Sequence, residues 1–247
     1  KVTEDMWREL RESKFQPLDL ELDLTRDGVL DPDKEDPGLR LTGQADRVDG
    51  WVKDGVLYLR VVDYKTGEKK FDLSDVCEGI NMQMLLYLFT LEKRGLARYG
   101  SLAGEIRPAG VLYSPARFRP MRAPGDLSEE ELAELRRSAA MRSGLVLNDP
   151  EVIEAMEPGG TGQKRFLPVK IKLNRETGEA DYEGQLAKLE DFGALSRFID
   201  DTLRDMAVEL RAALAPFARM LKAPSGIVCR SATSSRSSLR ILPTSGP

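Results

Sequence analysis

The segment ADRVDGWVKDGVLYLRVVDYKTG, residues 45–67, contains acidic and basic side chains at a spacing that could bring them together in an active site. Asp46 and Asp63 stand in two runs that alternate like strands, and the Asp-Gly pair between the runs favours a two-residue hairpin turn. With that turn, the register puts Asp46 opposite Asp63, with their Cβ atoms about 5 Å apart on one face. Lys65 lies two residues beyond Asp63, so it points to the same face, opposite Gln44.

Two carboxylates directly across a ladder repel each other, so their pairing indicates a ligand that offsets the repulsion. A divalent cation such as Mg²⁺ is typically held by one or two carboxylates, waters and a substrate phosphate. A lysine beside the ion can hold a phosphoryl oxygen, or orient and deprotonate an attacking water. The alternative is a solvated hairpin whose charges only alternate with apolar residues, which is the usual explanation of a single Asp-x-Lys. The pairing of Asp46 with Asp63 favours a metal site.

Two polar residues downstream share one face of a predicted helix. The run CEGINMQMLLYLFTLEKR, residues 77–94, is long and apolar and is followed by Gly95, so it predicts a largely buried helix. Gln83 and Tyr87 are four residues apart, so both can reach what the preceding strand presents. Taken alone, they would be ordinary polar positions on an apolar helix.

The composition excludes several kinds of chemistry. The chain of 247 residues contains no histidine, so neither a Ser-His-Asp triad nor an imidazole metal ligand can form within it. Its two cysteines, Cys77 and Cys229, cannot by themselves build a disulfide framework or a four-thiolate metal site. No apolar run is long enough for a membrane span and the start lacks signal-peptide features, so we expect a soluble, cytoplasmic protein. The absence of an initial Met indicates a segment of a longer chain.

The formal net charge of −4 argues against a domain that holds nucleic acid through global basicity. Local basic clusters, which are more often solvated surface than binding sites, occur at Arg117, Arg119 and Arg122, at Arg136 and Arg137, and at Lys164 and Arg165. The segment PGGTGQKR before Phe166 does not meet the phosphate-loop pattern, because its lysine does not directly follow a glycine and no Ser or Thr comes next. We interpret it as a mobile hairpin loop.

The remaining patterns predict an α/β protein with several antiparallel neighbours around a central sheet. Further strands are predicted at residues 18–24, 109–116 and 165–173, and helices at 3–13, from the capping box of Ser128 and Glu131 onward, and at 189–214.

The end of the chain differs from the rest. Residues 223–247 are rich in Ser and Arg and have no apolar period. Such a segment cannot bury enough surface to order itself, so we expect it to be disordered, ordered only by docking, or non-native. The predicted folded domain is therefore residues 1–222.

Three motifs together resemble the RecB-like branch of the PD-(D/E)XK nuclease superfamily. They are GQADRVD, VVDYKTG and QMLLY, which match the family order G-x-x-D-R-x-D, D-Y-K-T-G and Q-x-x-x-Y. The resemblance implies a restriction-endonuclease-like core, with a central mixed β-sheet flanked by helices. It also implies that Asp46 and Asp63 bind Mg²⁺ or Mn²⁺ and that Lys65 is the catalytic lysine. Gln83 and Tyr87 match the helix motif that supports the site and contacts DNA.

Later segments, including GLVLNDPEVIEAM and FLPVKIKL, resemble the C-terminal nuclease domain of AddB-type components of helicase-nucleases, over about residues 15–215. The resemblance implies metal-dependent exonuclease activity on single-stranded DNA during double-strand break repair and recombination, with an AddA-like partner. The alternative from another class is a non-catalytic DNA-binding or scaffolding module of such a complex. A third is a metal-dependent enzyme for small phosphorylated molecules, for which the chain offers no substrate motif.

The chain departs from these families in two respects. Many RecB-like nucleases take a further metal ligand, often His, from an upstream helix; here Glu21, or a segment outside this chain, is the candidate. AddB-like proteins typically carry an iron-sulfur cluster on four cysteines. With Cys77 and Cys229 alone, we expect no such cluster in this chain.

Overall fold

The structure is a computed structural model, which describes residues 2–25, 40–67, 70–116, 128–131, 141–174, 177–221 and 240–242. None of the helices in these ranges is apolar over enough of its length to cross a membrane. The helices are α1 (Val2–Glu12), α2 (Leu73–Cys77), α3 (Gln83–Arg94), α4 (Leu96–Tyr99), α5 (Pro150–Met156) and α6 (Leu189–Leu221). The strands are β1 (Gln16–Asp23), β2 (Arg40–Thr42), β3 (Gln44–Lys53), β4 (Val56–Lys65), β5 (Glu105–Pro115), β6 (Ser143–Leu147), β7 (Gly162–Gln163), β8 (Val169–Leu173), β9 (Ala180–Gly184), β10 (Leu186–Ala187) and β11 (Arg240–Leu242).

The main sheet is mixed and has six strands in the order β1-β3-β4-β5-β6-β10. Its β4–β5 and β6–β10 pairs are parallel, and its other pairs are antiparallel. A separate three-stranded antiparallel sheet consists of β7, β8 and β9. The predicted α/β class with a central mixed sheet is therefore confirmed.

The β3–β4 hairpin forms with the predicted turn. Asp54 and Gly55 both have positive φ, 51° and 78°, as a type I′ turn requires. Lys53 pairs with Val56, and the ladder continues in this register to Arg47 and Val62. Because a slip of one residue would exchange the two faces of each strand, the turn decides which side chains share a face.

The two faces of the hairpin are covered by different helices. Asp63 and Val61 lie on one face of β4, here called the front face, and α3 packs against β4 and β5 on that side. Arg60 and Tyr64 alternate with them and lie on the opposite, back face, where Arg60 contacts Glu9 of α1. Residues of both faces are buried, so the hairpin passes through the middle of the core.

Two predicted boundaries were wrong. The predicted helix from Cys77 to Arg94 is two helices, because α2 ends at Cys77 and α3 begins at Gln83. Between them Asn81 has a φ of 57°, a left-handed conformation that no continuous helix contains.

The strand predicted from Arg165 begins only at Val169. The carboxylate of Glu157 accepts the backbone N–H groups of Arg165 (2.5 Å), Phe166 (2.9 Å) and Leu167 (3.0 Å). These donors bind a side chain, so this stretch does not take part in a ladder.

The other predicted helices and strands are present with shifted ends, and α6 begins at Leu189 as predicted. The capping box is confirmed, since Ser128 N–H donates to Glu131 Oε2 (2.9 Å) and Glu131 N–H to Ser128 Oγ (3.2 Å). The rest of that predicted helix lies outside the described residues, as do Cys229 and the arginines at 117, 119, 122, 136 and 137. Of the predicted tail, the structure describes only β11, which pairs with β2.

Candidate active site

Asp46 and Asp63 meet at the open end of the β3–β4 hairpin. The ladder between the strands ends at Arg47 and Val62, and the two aspartates come next on their strands. The backbone N–H of Tyr64 donates to Oδ2 of Asp46 at 2.8 Å. Oδ2 of Asp46 therefore accepts a hydrogen bond from this N–H at the point where the β3–β4 ladder has ended. The charge of Asp46 acts on the carboxylate of Asp63, so the structure brings the two side chains near each other as the register suggested.

Lys65 joins the two aspartates on the front face. Its Nζ lies 2.5 Å from Oδ2 of Asp63, in an ion pair that is largely shielded from solvent. The same Nζ lies 5.9 Å from the centre of the Tyr113 ring. The ammonium group is therefore held between a carboxylate and an aromatic face, and it still has some contact with solvent.

The predicted position of Lys65 opposite Gln44 was wrong, because the β3–β4 ladder ends before it reaches either residue. Gln44 instead belongs to the pairing of β3 with β1, and its Nε2 donates to Oε2 of Glu21 at 3.1 Å. Glu21 is exposed, and its neighbours in β1 pair with the residues on either side of Asp46. In the part of the chain that the structure describes, no three Asp, Glu, Cys or His residues form a group that could hold a metal. A role for Glu21 as third ligand stays a prediction.

The electrostatics of the aspartate pair fit a divalent cation. Burial raises the pKa of Asp63; the Lys65 ammonium opposes this shift, and the negative charge of Asp46 adds to it. Oδ2 of Asp63 is buried and, apart from the ion pair with Lys65, no hydrogen bond of good geometry reaches it. A buried carboxylate with a raised pKa and an unsatisfied oxygen, beside a second carboxylate, is a suitable ligand for a hard cation such as Mg²⁺.

Gln83 and Tyr87 are also at this end of the hairpin. Nε2 of Gln83 donates to the Tyr87 hydroxyl at 2.8 Å. Burial raises the pKa of Tyr87, and the charges of Asp63 and Asp46 act in the same direction. The phenol is therefore neutral and remains a donor.

The glycine of the first motif makes room for this tyrosine. A Cβ on Gly43 would lie 2.5 Å from Cε1 and 2.7 Å from the hydroxyl oxygen of Tyr87. Real Cβ atoms do not approach other atoms so closely, so a side chain at this position would displace the ring. The residue directly before β3 is therefore in contact with α3.

Tyr113 is a member of the site that the sequence motifs do not identify. It pairs with Asp63 across the parallel β4–β5 ladder and is buried beside it. Burial raises the pKa of Tyr113 to about 12, with a further contribution from the negative charges of Asp63 and Asp75. The strand was predicted, but its register against β4 has no local signal, because a crossover connection rather than a tight turn joins the two strands.

Lys164 of the PGGTGQKR segment has a structural role. The segment contains β7 and the start of the loop that leads to β8, so it is part of a hairpin, but Lys164 is buried and not part of a solvated cluster. Its Nζ donates to Oε1 of Glu154 (2.8 Å) and to the carbonyl oxygens of Glu157 (2.7 Å) and Gly159 (2.8 Å). All three donors of the ammonium are used within the protein, so Lys164 has none left for a phosphate.

The cysteines do not fit the cluster of the AddB-like proteins. The chain has two, and the one that the structure describes, Cys77, is exposed at the end of α2. A four-thiolate cluster needs more ligands than this sequence supplies.

Comparisons with known proteins agree with the fold and with the motifs. The family model of the PD-(D/E)XK nuclease superfamily matches residues 1–231. The chain is 31% identical over 205 residues to the AddB component of the ATP-dependent helicase/deoxyribonuclease of Clostridium botulinum (strain Hall), a match that covers 81% of this chain and 17% of the relative. The AddB proteins of Ruminiclostridium cellulolyticum (32% over 216 residues; 85% and 18%) and Listeria innocua (33% over 196 residues; 76% and 16%) are similar to it in the same way.

The chain spans about a sixth of the length of these relatives. The superfamily match extends over nearly all of it, and the mixed six-stranded sheet with flanking helices is the restriction-endonuclease-like core that the resemblance implied. On these grounds, this chain belongs to the PD-(D/E)XK nuclease superfamily.

Proposed function

We propose that this chain is a metal-dependent deoxyribonuclease domain that degrades DNA from an end, as an exonuclease, during the processing of double-strand breaks. The observation that carries the proposal is the convergence of Asp46, Asp63 and Lys65 at one end of a single hairpin. The name of the relatives, which describes a helicase/deoxyribonuclease, supports DNA as the substrate and a helicase as the partner. An AddA-like protein that unwinds a duplex would supply single-stranded DNA to this site.

In the proposed mechanism, each residue of the hairpin end has a separate task. Asp46 and Asp63 would hold Mg²⁺ or Mn²⁺, and such an ion, when bound, lowers the pKa of a water and offsets the charge of the scissile phosphate. The backbone N–H of Tyr64 fixes the direction of one carboxylate oxygen of Asp46. Lys65 Nζ, which pairs with Asp63, is placed to orient an attacking water and to neutralise the charge that develops on the phosphate.

The helix motif supplies a donor for the substrate. Gln83 donates to the oxygen of the Tyr87 hydroxyl, so the proton of that hydroxyl is not used in this bond. A neutral tyrosine beside two carboxylates can donate to a phosphate oxygen of a DNA strand that enters the site. Gln83 and Tyr87 thus position DNA, and the aspartates and Lys65 act on it.

The exonuclease assignment is tested with linear and covalently closed circular single-stranded DNA of the same sequence. Each is incubated with the protein in Mg²⁺, Mn²⁺ or EDTA, and the linear strand is labelled in turn at its 5′ and 3′ ends. The proposal predicts that the linear strand is degraded in metal, that the circle stays intact, and that EDTA stops the reaction. Cleavage of the circle would show an endonuclease, and no cleavage in either metal would contradict the nuclease.

The rival function is a non-catalytic DNA-binding or scaffolding module. Two observations favour it. The net charge is acidic, and among the described residues no three carboxylates lie close enough together to hold a metal. Isothermal titration with Mn²⁺ and a single-stranded oligonucleotide separates the functions. The nuclease is expected to bind both, the scaffold to bind DNA without regard to metal, and an enzyme for small phosphorylated molecules to bind metal but not DNA.

A further inference from the structure

Five charged side chains are buried together on the back face of the sheet, behind the candidate site. They are Glu9, Arg47, Asp49, Arg60 and Arg142, each at most 5% exposed, and they are called the back-face network here. They come from α1, from both strands of the β3–β4 hairpin and from the residue before β6. Buried charges of this kind are costly unless every partner is in place, so the network ties these elements together closely.

Glu9 contacts all three arginines of the network. Its Oε1 accepts from Arg60 Nη2 (2.7 Å) and Arg142 Nη1 (2.5 Å), and its Oε2 accepts from Arg142 Nη2 (2.6 Å). Arg47 Nη2 lies 3.4 Å from both oxygens. The second carboxylate of the network, Asp49, contacts two of its arginines, Arg47 (3.0 Å) and Arg60 (2.8 Å). Within the network, Glu9 therefore connects α1 and Arg142 to the hairpin.

The network reaches the candidate site through two adjacent residues. Arg47 directly follows Asp46, and its Nη1 donates to the Tyr64 hydroxyl at 2.7 Å. Tyr64 stands between Asp63 and Lys65, and its backbone N–H donates to Asp46. Successive side chains of a strand point to opposite faces, so contacts that fix Arg47 and Tyr64 behind the sheet also fix the direction of their neighbours in front.

We infer that Glu9 is a positioning residue for the candidate site on the front face. Glu9 acts through Arg47 and Tyr64 to hold Asp46 and Asp63 in the arrangement that binds a divalent cation. This inference rests on the proposed function, because it concerns the metal site of that reaction. Glu9 touches neither the aspartates nor any reacting atom. Its effect is expected on metal affinity, since partners of ligands typically change that affinity by about 10- to 100-fold when they are substituted.

The test measures Mn²⁺ binding by isothermal titration, without DNA. Glu9→Gln keeps the shape of the side chain and removes its charge, and Glu12→Gln is the matched control on an exposed position of the same helix. The titrations are made at a temperature at which circular dichroism shows each variant to be fully folded. We expect Glu9→Gln to weaken Mn²⁺ binding by about tenfold or more, and Glu12→Gln to leave it unchanged. An unchanged dissociation constant in folded Glu9→Gln would mean a purely structural role and would overturn the inference.

A second variant keeps the inference testable if Glu9→Gln does not fold. Tyr64→Phe removes the hydroxyl that Arg47 binds and retains both the ring and the backbone N–H that donates to Asp46. We expect weaker Mn²⁺ binding, by severalfold, with little change in the unfolding temperature; unchanged binding would overturn the inference. If the wild-type protein binds Mn²⁺ but leaves DNA intact, only the proposed nuclease activity is contradicted. The comparison of dissociation constants would still decide the role of Glu9. Wild-type protein that binds no Mn²⁺ would overturn both proposals.

Discussion

The backbone N–H of Tyr64 donates to the side chain of Asp46 at 2.8 Å, so the residue between Asp63 and Lys65 holds the carboxylate on the neighbouring strand. The two motifs that carry the candidate site are therefore joined by a hydrogen bond as well as by the hairpin. One consequence is that Asp46 has two tasks, which different substitutions can separate. An amide at this position keeps an acceptor for Tyr64 but loses the charge that a cation needs.

Asp46→Asn is expected to abolish metal binding without unfolding the hairpin. Its side-chain carbonyl can still accept from Tyr64, so the unfolding temperature should stay close to that of the wild type. Cleavage of single-stranded DNA should fall by about 100-fold or more, because an ion that offsets charge in the transition state is lost. Asp46→Ala is the comparison, since it removes the acceptor as well and should also lower the unfolding temperature. Near wild-type cleavage by Asp46→Asn would argue against Asp46 as a ligand.

Asp63→Asn is expected to stabilise the protein in the absence of metal. Burial raises the pKa of Asp63 despite the ion pair with Lys65, so the charged carboxylate disfavours the folded state at neutral pH. A neutral amide of the same shape should therefore raise the unfolding temperature in EDTA by about 2 to 4 °C, which corresponds to about 1 kcal/mol. Calorimetry of both proteins measures the difference. A lower unfolding temperature would show that the ion pair outweighs the cost of burial.

The stability of the back-face network should depend on pH in a defined direction. Burial alone would raise the pKa of Glu9, but the guanidinium groups of Arg60, Arg142 and Arg47 outweigh it and hold the pKa well below its ordinary value of 4.5. A carboxylate with a lowered pKa contributes stability that is fully present above the ordinary value and is lost as the pH falls through the lowered one.

Denaturant unfolding of wild type and Glu9→Gln at pH 7 and at several values below 4.5 tests this dependence. At pH 7 the variant should be less stable by about 3 to 5 kcal/mol, because it leaves buried arginines without a charge partner. The difference should decrease as the pH is lowered, whereas Glu12→Gln should match the wild type throughout. A difference that stays constant down to about pH 3 would mean that the charge of Glu9 is not what stabilises the network.

Gly43→Ala is expected to affect the site through Tyr87. The new Cβ would overlap the tyrosine ring, so the ring or the strand must move, at a cost of about 1 to 3 kcal/mol. Denaturant unfolding of Gly43→Ala, Tyr87→Ala and the double variant measures the coupling. We expect the double variant to be more stable than the sum of the two single changes predicts, since removal of the ring removes the overlap. Additive effects would contradict a direct contact between these residues.

The sequence predicted those parts of the fold that local chemistry decides. Asp54 and Gly55 adopt the positive φ values of the predicted turn, and this turn sets the register that brings Asp46 to Asp63. The apolar run of residues 77–94 likewise predicted a buried helix that carries Gln83 and Tyr87, although that helix begins only at Gln83. In these cases the deciding interactions lie within a few residues of one another.

The features that the sequence did not reveal depend on distant partners. Arg60 stands in an apolar run, and its burial is possible only because Glu9 and Asp49 reach it from α1 and β3. Lys164 was interpreted as solvated because the acceptors that surround it, on Glu154 and Gly159, come together only in the folded protein. The charge of Arg60 within an apolar strand indicated that it has a buried partner, but it did not identify Glu9 or Asp49 as that partner.

The nuclease activity and the role of Lys65 are tested together by cleavage of an end-labelled single-stranded oligonucleotide in Mg²⁺, Mn²⁺ or EDTA. The proteins compared are the wild type, Lys65→Ala and Lys170→Ala. Lys170 is an exposed lysine of the three-stranded sheet and serves as the matched control. We expect metal-dependent products from the wild type and Lys170→Ala, and none from Lys65→Ala. Products that persist at the wild-type rate in Lys65→Ala would contradict this expectation, because they would come from another site or another protein.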